Sequence, residues 1–319
     1  MKLSVIMPNY NHGDRIGNSL TSILDQSRSP DEVIVVDDGS TDNSREVIQG
    51  LMKRYPQLSL HHHEENQGPV AACNTAFRLA TGDYIFGFPA DDVVLPGWFE
   101  QAEVMLKQHP GVGICCGDYY MVDVETGKVK EMKNGWGKAP AHYTPEAFAE
   151  VLKGWWVPSC ASFINRKALK TAGYFLDDLK WHCDWFAYLV VAFRYGLCHI
   201  PSPVIARRRH EDAYGTQNRR DWSVQSQVLR QLLERLKSPG YRDVLPSFIR
   251  SGAMLFFNNE IDRLVMTEPE MWDMETLLLA GLPMNYRHQA CKQHIDDMWK
   301  PGGVIENEEK IREALGMLG

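Results

Sequence analysis

The first 110 residues alternate between short apolar segments and amphipathic segments with helical spacing, and this alternation strongly constrains the fold. Strands are predicted at residues 3–7, 33–36, 58–61 and 82–88. A continuous apolar run such as 33–36 is typical of a strand that is buried on both faces of a parallel sheet. Strands that alternate with helices through short connections predict an α/β fold, with a mainly parallel, Rossmann-like sheet flanked by helices.

Polar residues follow each of these strands. They occupy residues 8–11, 37–40, 66–68 and 91–92. Right-handed crossovers bring the carboxyl ends of parallel strands to one edge, where open α/β sheets bind their ligands. An isolated pair such as Asp91 and Asp92 would be interpreted as a solvated turn. A second acidic pair, Asp37 and Asp38, on the same edge favours a ligand site instead.

The kind of ligand follows from what these loops contain. Neither a GxGxxG nor a GxxxxGK[ST] motif follows the strands, which disfavours a dinucleotide site and a P-loop. Carboxylates repel a diphosphate directly, but they can hold one through Mg²⁺ or Mn²⁺, which take oxygen ligands and bridge to substrate phosphates. The sequence therefore predicts a nucleotide diphosphate bound through a divalent metal.

Composition restricts the partners and the compartment. The 319 residues carry a net charge of −7, which gives no support to nucleic-acid binding. The apolar runs are too short for a transmembrane segment. The N-terminus leads directly into a strand, and the seven cysteines form no CxxC pattern. We expect a cytoplasmic protein with reduced thiols, and association with the inner face of the membrane and homo-oligomer formation remain open.

The pattern changes twice along the chain. Residues 1–110 are predicted to form the nucleotide-binding half of a domain, and residues 111–220 the acceptor-binding half, with mixed or antiparallel strands. Residues 221–319 are predicted to be a mostly helical C-terminal extension, with helical segments at 224–236 and 248–264. These boundaries follow from changes in hydrophobic periodicity and from the positions of turn residues.

Three segments resemble a known family. They are SVIMPNYN at 4–11, DEVIVVDDGSTD at 31–42 and GDYI at 82–85. In order and spacing they are similar to the family-2 glycosyltransferases, which have the GT-A fold. The resemblance covers the first 110 residues closely, continues loosely to about residue 215 and does not cover the helical extension. It implies transfer of a sugar from a nucleotide-diphosphate sugar, with uracil as the base by family tendency.

The resemblance also assigns residues to the donor. Tyr10 would lie against the base, Asp38 would accept a hydrogen bond from it, and Asp37 would help to form the nucleoside pocket. Other positions matching the donor-binding loops are Pro8, Asn66, Gly68, Asp92 and Arg209. Arg209 belongs to a late Arg-x-His region that closes over the diphosphate in the family. The run 207–209 could equally be a solvated group of charges.

The metal assignment rests on the segment Phe-Pro-Ala-Asp-Asp at 88–92. Asp91 matches the second acid of the family's Asp-x-Asp motif, which binds the metal, and His210 is a second candidate ligand. Pro89 stands where the first acid of that motif would be. The histidines at 61–63 alternate between the faces of a strand and cannot converge on one metal, so we interpret them as structural.

The segment Trp-His-Cys-Asp-Trp-Phe at 181–186 resembles the family's Glu-Asp-Trp segment, whose aspartate is the general base. Asp184 is therefore the catalytic candidate, and it would deprotonate an acceptor hydroxyl that displaces the diphosphate with inversion. Asp184 could instead be only a helix N-cap. Cys183 stands where the glutamate of the motif would be.

Three functions follow as hypotheses. The leading one is a metal-dependent inverting glycosyltransferase of bacterial polysaccharide, lipopolysaccharide or other glycan synthesis, with a glycan, lipid-linked or other hydroxyl acceptor. A catalytically impaired nucleotide-sugar-binding or scaffold protein of the same fold is the non-enzyme alternative, motivated by Pro89 and Cys183. A nucleotidyltransferase that makes sugar nucleotides should carry a Gly-rich basic loop after the first strand, and residues 8–11 are not such a loop.

Overall fold

The computed structural model describes residues 1–154, 156–209, 219–257 and 259–267, together with residues 276 and 279. Strands and helices alternate through the first 110 residues, as the sequence predicts. In chain order they are β1 (Leu3–Asn9), α1 (Ile16–Leu24), β2 (Glu32–Asp38), α2 (Ser44–Met52), β3 (Leu58–His63), α3 (Pro69–Leu79), β4 (Tyr84–Gly87), β5 (Val93–Val94) and α4 (Trp98–Gln108).

The second part of the chain is mixed, as predicted. Its elements are β6 (Ile114–Asp123), β7 (Val129–Met132), β8 (Ala141–Tyr143), α5 (Pro145–Leu152), a 3₁₀ turn (Ser159–Ala161), β9 (Ser162–Asn165), α6 (Arg166–Thr171), a second 3₁₀ turn (Asp177–His182), α7 (Cys183–Tyr195) and β10 (Leu197–Arg209). The strand β9 begins at Ser162, directly after the 3₁₀ turn at 159–161.

Within the described residues the strands form one sheet in the order β3-β2-β1-β4-β9-β6-β10-β5, with β7 beside β6 and β8 beside β10. The strands β3, β2, β1 and β4 are parallel to one another. The strand β9 is antiparallel to both of its neighbours, and β10 runs parallel to β6. The parallel half therefore brings the loops after β1, β2, β3 and β4 to one edge.

The first strand is longer than the sequence predicts. Pro8 was expected to end it, yet β1 continues to Asn9, and Pro8 pairs with Val36 of β2. On its other side, β1 stops pairing with β4 at Ile6 and Gly87. Because no ladder hydrogen bond is required of Pro8 on that side, its missing N–H costs nothing there.

A hydrophobic core lies on each face of the sheet. One is built around α1 and α4, where Leu20 and Trp98 are fully buried. The other contains α3, α5 and α7, and Phe186 is fully buried there. Burying one such side chain contributes roughly 1.5–3 kcal/mol. Ten of the 13 residues of α7 are buried. Helices from the C-terminal region cover the side of α7 that faces away from the sheet.

The described C-terminal residues are largely helical, as predicted. They form α8 (Trp222–Lys237), α9 (Leu245–Ser251), a 3₁₀ turn (Ala253–Phe257) and α10 (Asn259–Thr267). The predicted helical segment at 224–236 is confirmed by α8, whereas the predicted segment at 248–264 is divided among α9, the 3₁₀ turn and α10. Gly252 adopts a left-handed conformation (φ 62°, ψ 27°) that ends α9, as glycine commonly does after a helix. Residues 268–275, 277–278 and 280–319 of the predicted extension lie outside the described residues.

Candidate active site

The loops after β1 and β2 are held together by side-chain hydrogen bonds. Asn9 Nδ2 donates to Asp37 Oδ1 at 2.8 Å and to Ser40 Oγ at 3.2 Å. Asn11 Oδ1 accepts a hydrogen bond from the backbone N–H of Thr41 at 2.8 Å. Asparagine serves here because its amide both donates and accepts. The two polar loops predicted to share an edge therefore form one connected structure.

Asp37 is the buried centre of this connection. Its side chain is fully buried, and its Oδ2 also accepts hydrogen bonds from Arg45 Nε at 2.7 Å and from the Ser40 N–H at 3.2 Å. Burial alone would raise the pKa of this carboxyl. The hydrogen bonds from Ser40, Arg45 and Asn9 outweigh burial and lower the pKa instead. Asp37 is therefore an anion that fixes the shape of the two loops.

Asp38 connects the same loops to the segment before α3. Its Oδ1 accepts a hydrogen bond from the Gln67 N–H at 3.0 Å, and its Oδ2 accepts one from the Gly68 N–H at 2.8 Å. The Nδ1 atom of His63 lies 2.6 Å from Oδ1, and the Nε2 atom of the same ring lies 3.1 Å from Thr75 Oγ1. His63, which we interpreted as structural, therefore contacts a candidate base-binding carboxylate.

The glycine after this acidic pair permits a close approach of two backbones. Gly39 has a φ of +73°, and a Cβ placed on it would lie 2.8 Å from the backbone nitrogen of Asn66. Only glycine adopts this conformation without strain and leaves that space. Tyr10 lies beside these loops with 43% of its surface exposed, and the Asn66 side chain is also exposed. Both side chains are therefore accessible to a ligand.

Asp91 and Asp92 lie in a turn between β4 and β5, and they differ in environment. Asp92 is 2% exposed, and its Oδ1 accepts a hydrogen bond from the Arg208 N–H at 2.8 Å. Asp91 is partly exposed, and its carbonyl oxygen accepts a hydrogen bond from Arg208 Nε at 2.7 Å. Ser19 Oγ donates to the carbonyl oxygen of Asp92. The turn is thus attached to both β10 and α1.

Burial raises the pKa of Asp92 to about 8, and the nearby charge of Asp91 adds to the shift. The charge of Arg207 and the backbone hydrogen bond from Arg208 oppose it. Because its carboxylate is directed toward the strand β10, Asp92 supports the turn from inside. Asp91, whose side chain is more accessible, is the better placed of the two to meet a ligand.

Asp184 is the second residue of α7. Ser159 Oγ donates a hydrogen bond to Asp184 Oδ2 at 2.7 Å, and the Trp185 N–H donates to Oδ1 at 2.7 Å. The N-cap position belongs to His182, so Asp184 is not the cap residue itself. An acidic side chain in the first turn of a helix is stabilised by the helix dipole.

Three thiols lie near Asp184. Burial raises the pKa of Asp184, while the hydrogen bonds from Ser159 and Trp185 and the charge of Arg207 partly offset this effect. Burial, with the Asp184 charge nearby, also raises the pKa of Cys73 and Cys160 to about 12 and that of Cys183 well above its ordinary value. A carboxyl with a raised pKa is suited to act as a base.

Arg207 is a residue of the site that the sequence did not single out. Its positive charge acts on both Asp92 and Asp184, and its side chain hydrogen-bonds to Tyr119. In the β10 strand it pairs with Met121, and Arg209 pairs with Asp123 at the exposed strand end. Arg207 therefore connects the candidate metal-binding turn with the candidate base.

A divalent metal fits this site only together with a substrate. Among the residues that the structure describes, no three histidine, cysteine or acidic side chains converge to hold a metal by themselves. His210 lies outside the described residues. The Asp91 carboxylate offers one oxygen ligand of the kind that Mg²⁺ and Mn²⁺ prefer, and substrate phosphates commonly complete such a coordination shell. The donor set is thus compatible with a metal that binds with the diphosphate.

Comparisons with known proteins identify the family. The family model described as "Glycosyl transferase family 2" matches residues 4–173, and the chain belongs to this family. An uncharacterized glycosyltransferase, alr2836, from Nostoc sp. is 30% identical over 185 residues, which cover 57% of this chain and 56% of the relative. The putative teichuronic acid biosynthesis glycosyltransferase TuaG of Bacillus subtilis is 40% identical over 90 residues, which cover 28% and 36%. The chain thus spans about half the length of the first relative, and less of the second.

Two solved structures share the fold. Residues 1–349 of S. aureus TarS, in complex with UDP-GlcNAc, superpose with a TM-score of 0.62 at 17% identity, covering 99% of this chain and 92% of that one. The mannosyltransferase PcManGT from Pyrobaculum calidifontis, in complex with GDP-Man and Mn²⁺, gives a TM-score of 0.57 at 20% identity, covering 99% and 86%. The predicted GT-A fold is confirmed. None of the helices in the described ranges is long and apolar enough to cross a membrane.

Proposed function

We propose that this family-2 glycosyltransferase transfers a sugar from a nucleotide-diphosphate sugar, with UDP as the nucleotide, to an acceptor hydroxyl with inversion of configuration. One observation carries the proposal. The strand β10 joins the two parts of the site: Arg208 binds the Asp92 carboxylate and the Asp91 carbonyl oxygen, and the charge of the adjacent Arg207 lowers the pKa of the candidate base Asp184. In a single displacement the diphosphate leaves from one side of the anomeric carbon while the acceptor hydroxyl attacks from the other, so a site for the diphosphate and a base are needed near one carbon atom.

The nucleoside would bind at the loops that follow β1, β2 and β3. We propose that the ring of Tyr10 stacks on the base and that Asp38 lies at its hydrogen-bonding edge. Asp37 would hold the pocket in shape, and Asn66 and Gly68 would border it. The hydrogen bonds that hold the loops after β1 and β2 together support this assignment, because a preformed pocket loses little conformational entropy on binding.

At the sugar, one proton and two carbon–oxygen bonds change. Asp184 would take the proton of the acceptor hydroxyl while that oxygen forms a bond to the anomeric carbon. The bond from this carbon to the β-phosphate oxygen breaks, and the nucleoside diphosphate leaves. A single displacement inverts the configuration. Asp184 is suited to this role because burial raises its pKa.

The leaving diphosphate carries negative charge that the site must stabilise. Asp91 would hold a divalent metal, which when bound supplies positive charge to the diphosphate oxygens. Arg207 would add a second positive charge from the side of β10, and Arg209 and His210 would lie beyond it along the chain. Such fixed charges favour the departing anion more than the intact donor.

The acceptor and the cellular setting are proposals of a coarser kind. TuaG is described as a putative enzyme of teichuronic acid biosynthesis, and another relative, from Bacillus spizizenii, is a poly(ribitol-phosphate) beta-glucosyltransferase. We infer that this chain serves the synthesis of a bacterial surface glycan. Its acceptor would be a hydroxyl of a glycan, a polyol phosphate or a lipid-linked saccharide, reached from the cytoplasmic side.

A donor-turnover assay tests the proposal. The protein is incubated with Mn²⁺ and a panel of UDP- and GDP-sugars, with and without hydroxyl acceptors, and release of nucleoside diphosphate is followed. We expect release with a UDP-sugar, loss of release with a chelator, and loss in Asp91→Asn and Asp184→Asn. Asp83→Asn, an exposed residue before the amino end of β4 and thus at the opposite edge of the sheet, serves as the matched control.

The outcomes separate the alternatives. The anomeric coupling constant of the product, measured by NMR, must show the configuration opposite to that of the donor. Nucleotide binding without turnover on any donor and acceptor would favour a binding or scaffold protein. Release of pyrophosphate from a nucleoside triphosphate and a sugar phosphate would instead indicate a nucleotidyltransferase.

A further inference from the structure

The 3₁₀ turn at 177–182 leads directly into α7, the helix that carries Asp184, and its backbone is strained. Lys180 has φ 44° and ψ −118°, a conformation that lies outside the regular regions for a residue with a side chain. Such a residue costs on the order of 1–3 kcal/mol and persists only where surrounding contacts fix it. The contacts that fix this turn come from α8, in the C-terminal region that the family match does not reach.

Two side chains of α8 hold the turn. Arg235 forms hydrogen bonds with Asp178 Oδ2 from Nε at 3.0 Å and from Nη2 at 2.7 Å. Gln225 Oε1 accepts a hydrogen bond from Trp181 Nε1 at 2.9 Å and lies 3.2 Å from His182 Nε2. The Gln225 side chain is fully buried, and His182 is 3% exposed. The turn is therefore fixed on both sides of Lys180.

Gln225 also joins the turn to α10. Its Nε2 donates to Glu260 Oε2 at 2.9 Å, and Glu260 in turn pairs with Arg219 through two bonds of 3.2 and 2.8 Å. Each polar group of the Gln225 amide thus has a partner. Buried polar networks that are fully satisfied hold one arrangement, whereas removal of one member leaves the others unpaired at a large cost.

The helix that follows is tied to the same region by aromatic packing. The ring centroid of Trp185, next to Asp184, lies 4.8 Å from that of Phe257 and 5.7 Å from that of Phe256. His182, whose ring lies 4.9 Å from Phe257, is the N-cap residue of α7. A shift of the turn would therefore move the first turn of α7, and Asp184 with it, as one rigid unit.

We propose that Gln225 is a positioning residue for Asp184, and that α8 and α10 are part of the catalytic support and not an appended domain. The inference rests on the proposed function, in which Asp184 is the base. Gln225 acts through Trp181 and His182 on the start of α7. A displacement of about 1 Å at a reacting group can lower turnover on the order of 100-fold.

The test uses Gln225→Leu in the full chain, with Gln231→Leu as the matched control, since Gln231 lies exposed on the same helix. For Gln225→Leu we expect a kcat about 10- to 100-fold lower, while the affinity for nucleoside diphosphate and the donor KM stay at wild-type values. Gln231→Leu should leave all three unchanged. A merely structural role would lower the yield or the melting temperature without this separation of kcat from KM.

A paired exchange provides a rescue. Gln225→Glu alone places two carboxylates at the 2.9 Å contact with Glu260 and should lower kcat. The double variant Gln225→Glu with Glu260→Gln restores a donor opposite an acceptor, keeps the acceptor for Trp181, and should recover most of the lost kcat. If the double variant is as slow as Gln225→Glu, or if Gln225→Leu turns over like wild type, the inference is overturned while the proposed function stands.

Hydrogen–deuterium exchange supplies a readout that does not depend on activity. In Gln225→Leu, exchange should increase at residues 177–186 and remain at the wild-type rate in β1–β4. Unchanged exchange at 177–186 would overturn the inference even if no donor is ever turned over. Wild-type protein that turns over no donor refutes the proposed function separately.

Discussion

The Ser159 hydroxyl donates a 2.7 Å hydrogen bond to Asp184 Oδ2, so the candidate base is held by a residue that lies 25 positions away in the sequence. This hydrogen bond stabilises the charged form of Asp184 and lowers its pKa, against the effect of burial, which raises it. The protonation state of the base therefore depends on a balance that one neutral side chain can shift.

For Ser159→Ala we expect the acidic limb of the kcat/KM–pH profile to move to higher pH. Removing the hydroxyl withdraws a bond that favours the carboxylate, so the pKa of Asp184 rises and less of it is ionised at a given pH. A hydrogen bond to a charged group contributes about 1.5–3 kcal/mol, which corresponds to a displacement of roughly one pH unit or more. Ser159→Thr keeps a hydroxyl and should retain the wild-type profile. An unmoved limb in Ser159→Ala would show that Asp184 does not set it.

For Arg207→Gln we expect kcat/KM to fall about 100-fold, as when one group that stabilises developing charge is removed. The acidic limb should also move to higher pH, because the Arg207 charge favours ionised Asp184. Steady-state kinetics across pH and calorimetric titration with nucleoside diphosphate measure both effects. Arg209→Gln, at the exposed strand end, should lose less. A larger loss at Arg209 than at Arg207 would contradict the assignment.

For Tyr10→Ala we expect weaker nucleotide binding without loss of stability. Stacking of a base on an aromatic ring contributes about 1–3 kcal/mol, so the dissociation constant for UDP should rise roughly 5- to 150-fold. The ring is 43% exposed, so the melting temperature should change little. Tyr10→Phe keeps the ring and should bind as wild type does. Equal affinity in Tyr10→Ala, measured by calorimetry, would place the base elsewhere.

For Asp92→Asn we expect the free energy of unfolding to decrease less than that of wild type as the pH rises. The pKa of Asp92 is raised to about 8 in the folded protein, from its ordinary value of 3.8. Between about pH 4 and pH 8 the folded state therefore holds a proton that the unfolded state has released, so stability decreases as the pH rises through this window. Asparagine can still accept the hydrogen bond from the Arg208 N–H.

Denaturant unfolding at a series of pH values measures this difference. The free energy of unfolding of Asp92→Asn minus that of wild type should be larger at pH 8 than at pH 4, by on the order of 2 kcal/mol. Asp83→Asn, at an exposed position before β4, is the control and should not flatten the curve. Parallel curves for wild type and Asp92→Asn would show that the carboxyl of Asp92 is not perturbed by burial.

The sequence predicted the parts of the fold that depend on local periodicity. The alternation of strands and helices, the mainly parallel sheet and the shared edge of its loops follow from the spacing of apolar residues, and they are confirmed. The continuation of β1 past Pro8 was not predicted. Whether a proline ends a strand depends on where the neighbouring strand stops pairing, and β4 stops pairing with β1 before Pro8. The end of α9 at Gly252 was not predicted, because the apolar residues around Gly252 continue the helical pattern although Gly252 itself is left-handed.

Sequence patterns indicate the residues proposed to contact the substrate more clearly than the residues that support the site. Asp38 belongs to a motif, but its partner His63 is identified only by the register of β2 with β3, in which the two residues are paired. Arg207 was one of three adjacent arginines, and only the tertiary structure shows that its charge acts on both Asp92 and Asp184. Ser159 has no local signal, since its contact with Asp184 is formed by the tertiary packing alone.

The protonation state of the three thiols near Asp184 decides whether they can react with a sugar bound beside them. Cys73, Cys160 and Cys183 have raised pKa values because burial disfavours the thiolate. A thiolate is a far stronger nucleophile than a neutral thiol, and one beside an activated anomeric carbon would form a stable thioglycoside on the protein. In the proposed mechanism the protonated thiols of these three residues are therefore weak competitors of the acceptor hydroxyl for the anomeric carbon.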